Sequence, residues 1–519
     1  MSRGLRVALG VVSALLVVAT PAGAASKNVK LQDNLPEAKY ATAINFLQYK
    51  HGDDVMLVTG RFGLKSYSLR DPAHPKLLDS IDNEDLRLPG DPPTNLDESK
   101  GPLSTFWQNE DMDVDHERKL ALISRDPRSY LGSTSREPGE ADPNGATNIA
   151  GVYVVDAKDP RHLKLLTFQQ LLTGHTTTCI NDCRWLWSGG PASTTTQKQP
   201  PLSWVGGRPL IVTDLRDPRH PHAYPKQPVD LFRRDGETAY SHDVQVDDAG
   251  IAWVSGDGGT RGYWTDGRHY DPIEGKKRTA TPLDPVPYGG GGLPQSITND
   301  TVGGFEHNAW RPVGKNAPRG DKRYRKGELL LATEEDFGPA AEGCSKKGMF
   351  SISSLKDSYD GDAWRSTAAN PYRLKVVGTW NPFGKEGSRP VGGPLDPEAD
   401  FCSAHYFDVD GPVVSYAWYG EGTRFLDIND PANPRQFAYW RPDDGIVWAS
   451  YLHRGYVYTA DHVRGVDVLK FTKGAVSARH GRRAVVAPAP NARHRAFMSR
   501  WAWRLKADPA TGGICYLAI

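Results

Sequence analysis

The sequence predicts an all-β fold: a seven-bladed β-propeller of four-stranded antiparallel blades, followed by a basic C-terminal tail. Three observations carry this. The 519 residues include 53 Gly and 40 Pro, and both interrupt helix interiors. Runs of alternating β-branched and aromatic residues, the pattern of half-buried strands, recur between turn residues through 40–472. Four stretches read almost alike, at 66–78, 152–166, 210–224 and 424–439, each a strand, an Asp-Pro turn and a second strand. Proline cannot continue a ladder and aspartate folds back on its own backbone, so Asp-Pro ends a strand and turns the chain.

The chain opens with an export signal. Arg3 and Arg6 precede a short apolar run, and Ala22-Gly23-Ala24 is a small-x-small cleavage site. This makes 1–24 a signal peptide cut before Ala25, with an uncleaved membrane anchor as the alternative. The apolar run is shorter than a spanning helix needs and stops at Pro21. No later segment is apolar enough to span a bilayer. Losing the leader turns a formal charge of +1 into −1, which gives no reason to expect nucleic-acid binding. The expected address is extracellular, with cell-wall association as a variant of it.

Before each Asp-Pro unit lies another hairpin, clearest at 241–259 and matched at 109–127, 402–422 and 451–465. Joined, the halves give four strands, and a sheet that cannot bury both faces alone must stack on its neighbours around an axis. The blades fall at 40–83, 105–170, 173–230, 240–288, 304–380, 400–440 and 445–472. Six or eight remain alternatives, because blade four lacks a good Asp-Pro turn and blade five carries inserts. Blade seven has three strands, and residues 28–32 supply its fourth, closing the propeller over 25–473.

Five cysteines suit an oxidising compartment. Cys179 and Cys183 bracket a turn-like Ile-Asn-Asp and read as a disulfide clip or as half of a metal site. Cys344 and Cys402 fall on one face of neighbouring blades and make a second expected bridge, leaving Cys515 over. Segments 84–104, 128–147, 189–207, 266–304 and 381–400 read as long surface loops. Residues 474–519 carry eight Lys/Arg from Arg479 to Lys506 against Asp508 alone. They are either a solvated extension or an electrostatic contact with a wall polymer or membrane surface.

Gly151–Asp156, Phe425–Ile428 and the turns at Asp217 and Asp430 resemble the LVIVD-repeat family of bacterial and archaeal secreted or cell-surface proteins. The resemblance covers most of 40–472. It implies a propeller and an extracytoplasmic location, and no established activity.

Alignment of the hairpins puts a histidine at the start of the innermost strand in four consecutive blades: His175, His242, His307 and His405. Glu110 takes the matching place in blade two, Asn45 in blade one, and Val447 or Trp448 in blade seven. Inner strands surround the channel, so these residues meet at one mouth, where imidazoles and a carboxylate suit one transition-metal ion such as Cu, Zn or Fe. Arg125, Asp126, Asp257, Glu334, Glu335, Asp336, Asp461 and His462 are expected around them. The alternative is structural, since WD-repeat propellers also place a histidine there to bond within its blade. His242, Asp243, Ser255 and Asp257 fit such a network.

Two functions follow. The first is a binding module that recognises a surface protein or cell-wall polymer through its axial mouth and inserted loops. The second is a metal-dependent extracytoplasmic enzyme, oxidoreductase- or hydrolase-like. It would use His175, His242, His307, His405 and Glu110 as ligands, with Glu334, Glu335 or Asp336 as acid/base candidates. Propeller copper enzymes similar to the methanethiol oxidase family are its nearest analogy. No serine-hydrolase elbow, phosphate loop or His-Glu-x-x-His helix occurs in the sequence.

Overall fold

Each Asp-Pro turn is built the same way. Asp71, Asp159, Asp217 and Asp430 each accept the backbone N–H two residues on through Oδ1, at 3.0 Å in every case. Their carbonyls accept the N–H three residues on, at 3.0–3.2 Å. The side chain thus satisfies a donor that the ladder has released, which is why aspartate precedes proline here.

These turns join the outer strands of a seven-bladed β-propeller. In the computed structural model, the residues described are 23–50, 54–91, 93–97, 110–126, 149–190, 210–224, 229, 231–232, 238–239, 241–256, 259–272, 274–289, 306–314, 317–335, 348–356, 374–382, 403–475 and 484–501. Blade one runs outward through Ala41–Gln48, Asp54–Gly60, Gly63–Ser68 and Lys76–Asp82. The inner strands of the next five blades are Met112–Asp115, Thr176–Ile180, Ser241–Val246, Glu306–Trp310 and Phe407–Asp410. Blade seven holds Val447–His453, Tyr456–Asp461 and Gly465–Phe471, and the N-terminal Val29–Leu35 pairs with the last as its outer strand. The ring closes as the sequence predicts.

Two features differ from expectation. Ala24–Lys27 adds a fifth strand to the edge of blade six, so the N-terminal segment ties blades six and seven together. The supposed loop 266–304 holds the outer strand of blade four, Val286–Pro287, and a hairpin of Arg268–Asp271 with Lys276–Thr279. Without an Asp-Pro turn to bring the chain straight back, blade four makes its detour before closing.

The core lies between blades. Every blade-to-blade junction has a buried apolar cluster; Leu57, Met112 and Ile123 join blades one and two, and Phe350, Tyr416 and Trp418 join five and six. Burial on both sheet faces explains second strands such as Leu120–Arg125, buried at every residue. Closure therefore fixes the relative positions of the inner-strand starts.

Cys179 and Cys183 form the predicted disulfide across a turn in which Asn181, Asp182 and Cys183 all have left-handed φ of 52–55°. Such a run is unfavourable for side-chain-bearing residues, so the clip holds a turn the chain disfavours. Cys179→Ser with Cys183→Ser is expected to cost about 2 kcal/mol, the chain-entropy value for so short a loop. A lower urea midpoint with unchanged slope would show it. Cys344, Cys402 and Cys515 lie outside the described residues.

Part of the basic tail packs. Gln436 and Arg441 of blade six donate to the carbonyls of Val485 and Pro488. Phe497 and Met498 of the helix Ala492–Trp501 are buried, with Met498 against Gly420. Among the described residues no helix is long and apolar enough to cross a membrane.

Candidate metal centre

The start of each inner strand decides what faces the axis. In blades four, five and seven the ladder slips by one residue, and the extra residue is His242, His307 and Trp448 respectively. A bulge re-aims one side chain without moving the rest of the strand. Blade one has the same slip at Thr42, so Thr42, not Asn45, is its equivalent residue. Asn45 lies three residues further along the strand and donates to the Met112 carbonyl.

Glu110 and the four histidines are completely buried and converge. The His175 Nε2 contacts Glu110 Oε2, and His405 Nε2 contacts Glu110 Oε1. His307 Nε2 lies 3.2 Å from Oε1, and His242 Nε2 3.6 Å from Oε2. The ligand atoms of Glu110, His175 and His242 lie within 4.8 Å of one another, as do those of Glu110, His307 and His405. A third such group, His242, His307 and Glu335, overlaps both.

The outer face of the rings fixes the chemistry of the inner face. His242 Nδ1 lies 3.0 Å from the His307 carbonyl and His405 Nδ1 2.6 Å from the Trp448 carbonyl. A carbonyl only accepts, so both Nδ1 atoms carry a proton, which leaves each Nε2, on the Glu110 side, as the atom a metal would bind. His175 Nδ1 meets Asp126 Oδ2 at 2.7 Å, the carboxylate–histidine arrangement that orients metal ligands. All three partners belong to neighbouring blades, not to the histidine's own. The WD-type network does not form among the described residues: Ser255 bonds Thr260, Gln245 donates to Asp243, and His242 reaches across to blade five.

Spacing fits a metal as well. His175 Nε2 and His242 Nε2 are 3.0 Å apart. Two imidazoles bound at ~2.0–2.1 Å would stand about 2.9–3.4 Å apart for adjacent positions. A glycine allows the approach: Gly190 has φ of 112°, and a Cβ there would lie 2.1 Å from His175 Cβ.

Electrostatics without a metal are divided. Burial alone would raise the Glu110 carboxyl, but His175 and His405 beside it hold it well below the usual carboxylate range. Burial opposes charge on His175, yet Glu110 and Asp126 push it up to about 9. Burial takes His242 down to about 4 and His307 well below the usual imidazole range, helped by the neighbouring histidines. The metal-free cage thus pairs His175 with Glu110, beside two rings, His242 and His307, that burial holds neutral.

The remaining expected residues separate. Glu335 joins the site: its Oε1 accepts from the Tyr419 hydroxyl, and its Oε2 lies 4.0 Å from His307 Nε2. Glu334 turns to the Met349 backbone N–H. Arg125 does not bond the cage; Asp91 holds it at 2.6 Å and 2.8 Å, with Tyr153 beside it. Asp257 and Asp336 lie outside the described residues. Asp461 caps its own turn, while His462 packs edge-on against Trp448, with ring centroids 4.2 Å apart. The sequence reading missed Tyr406 and Tyr419, which pack on His405 with centroids at 4.9 Å and 5.2 Å. Their signal was the aromatic pairs in Ala404–Phe407 and Trp418–Gly420.

No family model matches this chain, and no curated protein matches it. Solved structures share its propeller fold. The periplasmic gluconolactonase PpgL of Pseudomonas aeruginosa is similar at 12% identity and TM-score 0.42, over 79% of this chain and 88% of that one. A chain of a mitotic checkpoint complex is similar at 9% identity and TM-score 0.39, over 91% and 99%.

Proposed function

We propose that this chain is an extracytoplasmic metalloenzyme, an oxidoreductase whose axial cage holds one iron or copper ion. One observation carries the reading: four buried imidazoles aim Nε2 at a single carboxylate, and backbone carbonyls hold two of them in the ligating tautomer. The donor set favours iron or copper over zinc. Five imidazole and carboxylate donors exceed the four of a tetrahedral zinc site, and none of the described donors is a thiolate. Glu110 with His175 and His242, and again with His307 and His405, supplies the two-histidine, one-carboxylate set that suits non-haem iron. Such an ion would supply electron transfer or activation of a bound oxidant. The protein's part is to exclude water and fix the ligands. The Cys179–Cys183 bridge and the leader-like N-terminus support the extracytoplasmic address.

The test is elemental analysis of protein purified without chelators, beside His242→Ala and His405→Ala. About one iron or copper per chain is expected in the wild type and less than a tenth of that in both variants. A folded wild type that takes up neither metal on reconstitution would remove the enzyme reading. It would leave the binding module, with a surface protein or cell-wall polymer as partner.

A further inference from the structure

The ligands of the cage come from five consecutive blades, two to six, which leaves its remaining side to blades seven and one. The equivalent residues there are Trp448 and Thr42. Thr42 is spent on its own blade, donating to the Thr59 carbonyl at 3.2 Å. Trp448 is different. Its indole packs on His405 and His462, with centroids 4.4 Å and 4.2 Å away. Both Trp448 and His462 are buried, with no more than 1% of their surface exposed. Trp448 Nε1 and both His462 ring nitrogens have no hydrogen-bond partner among the described residues.

Three orphaned ring nitrogens on two touching side chains are unusual. A buried donor left unmet is costly, and native interiors hold few of them. At least two of the three atoms are N–H donors, because indole always donates and neutral imidazole donates once. Positive charge is close as well. Arg61, also buried, helps burial hold His462 in the neutral form, and Glu110 and His405 are near enough to act on the same ring. Two donors beside a buried guanidinium match the two acceptor oxygens of a carboxylate.

We infer that Trp448 and His462 form an anchoring site for the carboxylate of a small organic acid, held beside the cage on its blade-seven side. The reading makes such acids the substrate class of the proposed enzyme, and in that respect it rests on the metal reading. The anchoring itself does not: the donors belong to the protein whether or not the cage is filled.

The experiment measures binding of formate, acetate and benzoate by calorimetry, on metal-loaded and metal-free protein. It compares wild type with Trp448→Phe, which keeps the ring packing and removes the N–H, and with His462→Leu. Saturable millimolar binding of at least one acid is expected, weakened ten-fold or more in both variants, with metal content unchanged from wild type. Affinity that is the same in both variants would overturn the assignment. So would the absence of saturable binding by any of the three acids, which would leave ordered water as the partner of these nitrogens. If the wild type takes up no metal, carboxylate binding that disappears in the two variants still upholds the anchoring site, while the enzyme reading falls separately.

Discussion

Replacing Glu110 by Gln is expected to empty the cage. Among the described residues Glu110 is the one carboxylate that all four imidazoles reach, at up to 3.6 Å, and its negative charge is what a divalent ion would lose. Changes to groups that merely orient ligands already cost 10–100-fold in metal affinity. Loss of a charged ligand should exceed about 100-fold on that scale, read by competition with a chromophoric chelator. The metal-free protein gives a second, independent readout. His175 has its folded pKa raised to about 9, chiefly by Glu110 against the opposing effect of burial. A raised imidazole pKa adds stability that is fully present below the unfolded value near 6.5 and is lost as pH climbs through 9. Glu110 is held low, so its own contribution is present above about 4.5 and disappears on acidification. The stability gap between wild type and Glu110→Gln is therefore greatest from about pH 4.5 to 6.5, at up to about 3 kcal/mol, and narrows toward pH 9. For the same reason, loading the wild type with metal at pH 7.5 should release about one proton per chain, because His175 must give up its Nε2 proton to ligate. A structural histidine network predicts the stability gap without metal or proton release.

Much of this site was legible as a pattern. The four histidines and Glu110 stand at one position of a repeat, and once a repeat closes into a ring, equal positions become neighbours. What the residues touch was not legible. Asn45 looked like the blade-one member because the bulge that selects Thr42 leaves no mark in composition; it is a one-residue slip decided by pairing with the next strand. Arg125 sits one residue before Asp126, yet Asp126 orients His175 while Arg125 pairs with Asp91. Asp91 belongs to a different segment, and only packing brings it there. Blade four's outer strand was hidden for a related reason. Its two residues, Val286–Pro287, are too short to show alternation. The Asp-Pro turns were readable because their physics is local: one side chain caps the N–H two residues away.

Asp461→Asn is expected to make the protein more stable at neutral and alkaline pH. The carboxylate caps the blade-seven turn, where Oδ1 accepts the N–H groups of Val463 at 2.7 Å, Arg464 at 3.0 Å and Ile446 at 3.1 Å. Its Oδ2 is buried with no hydrogen-bond partner among the described residues. Burial first, then the charge of Asp467, pushes the Asp461 carboxyl up to about 7, despite Arg464 and the backbone donors that favour its anion. A carboxyl whose folded pKa is raised binds its proton more tightly folded than unfolded. The wild type therefore loses stability as pH rises from about 4 to 7, and holds that deficit above 7. Asparagine keeps the Oδ1 acceptor and cannot ionise. The variant should match the wild type near pH 4, gain steadily through pH 7, and stay ahead by about 3–4 kcal/mol beyond it. Urea unfolding at pH 4.5, 6 and 8 would show the trend, and a gap that does not grow with pH would contradict it. The direction matters for the site. A carboxyl that weakens the fold at working pH, next to His462 and on the cage's open side, is a cost that stability alone would remove by asparagine. Proteins carry such costs where a site needs the group. If Asp461→Asn gains stability while carboxylate binding at Trp448 and His462 changes, Asp461 belongs to the mouth's chemistry; if binding is unchanged, its role ends at the turn.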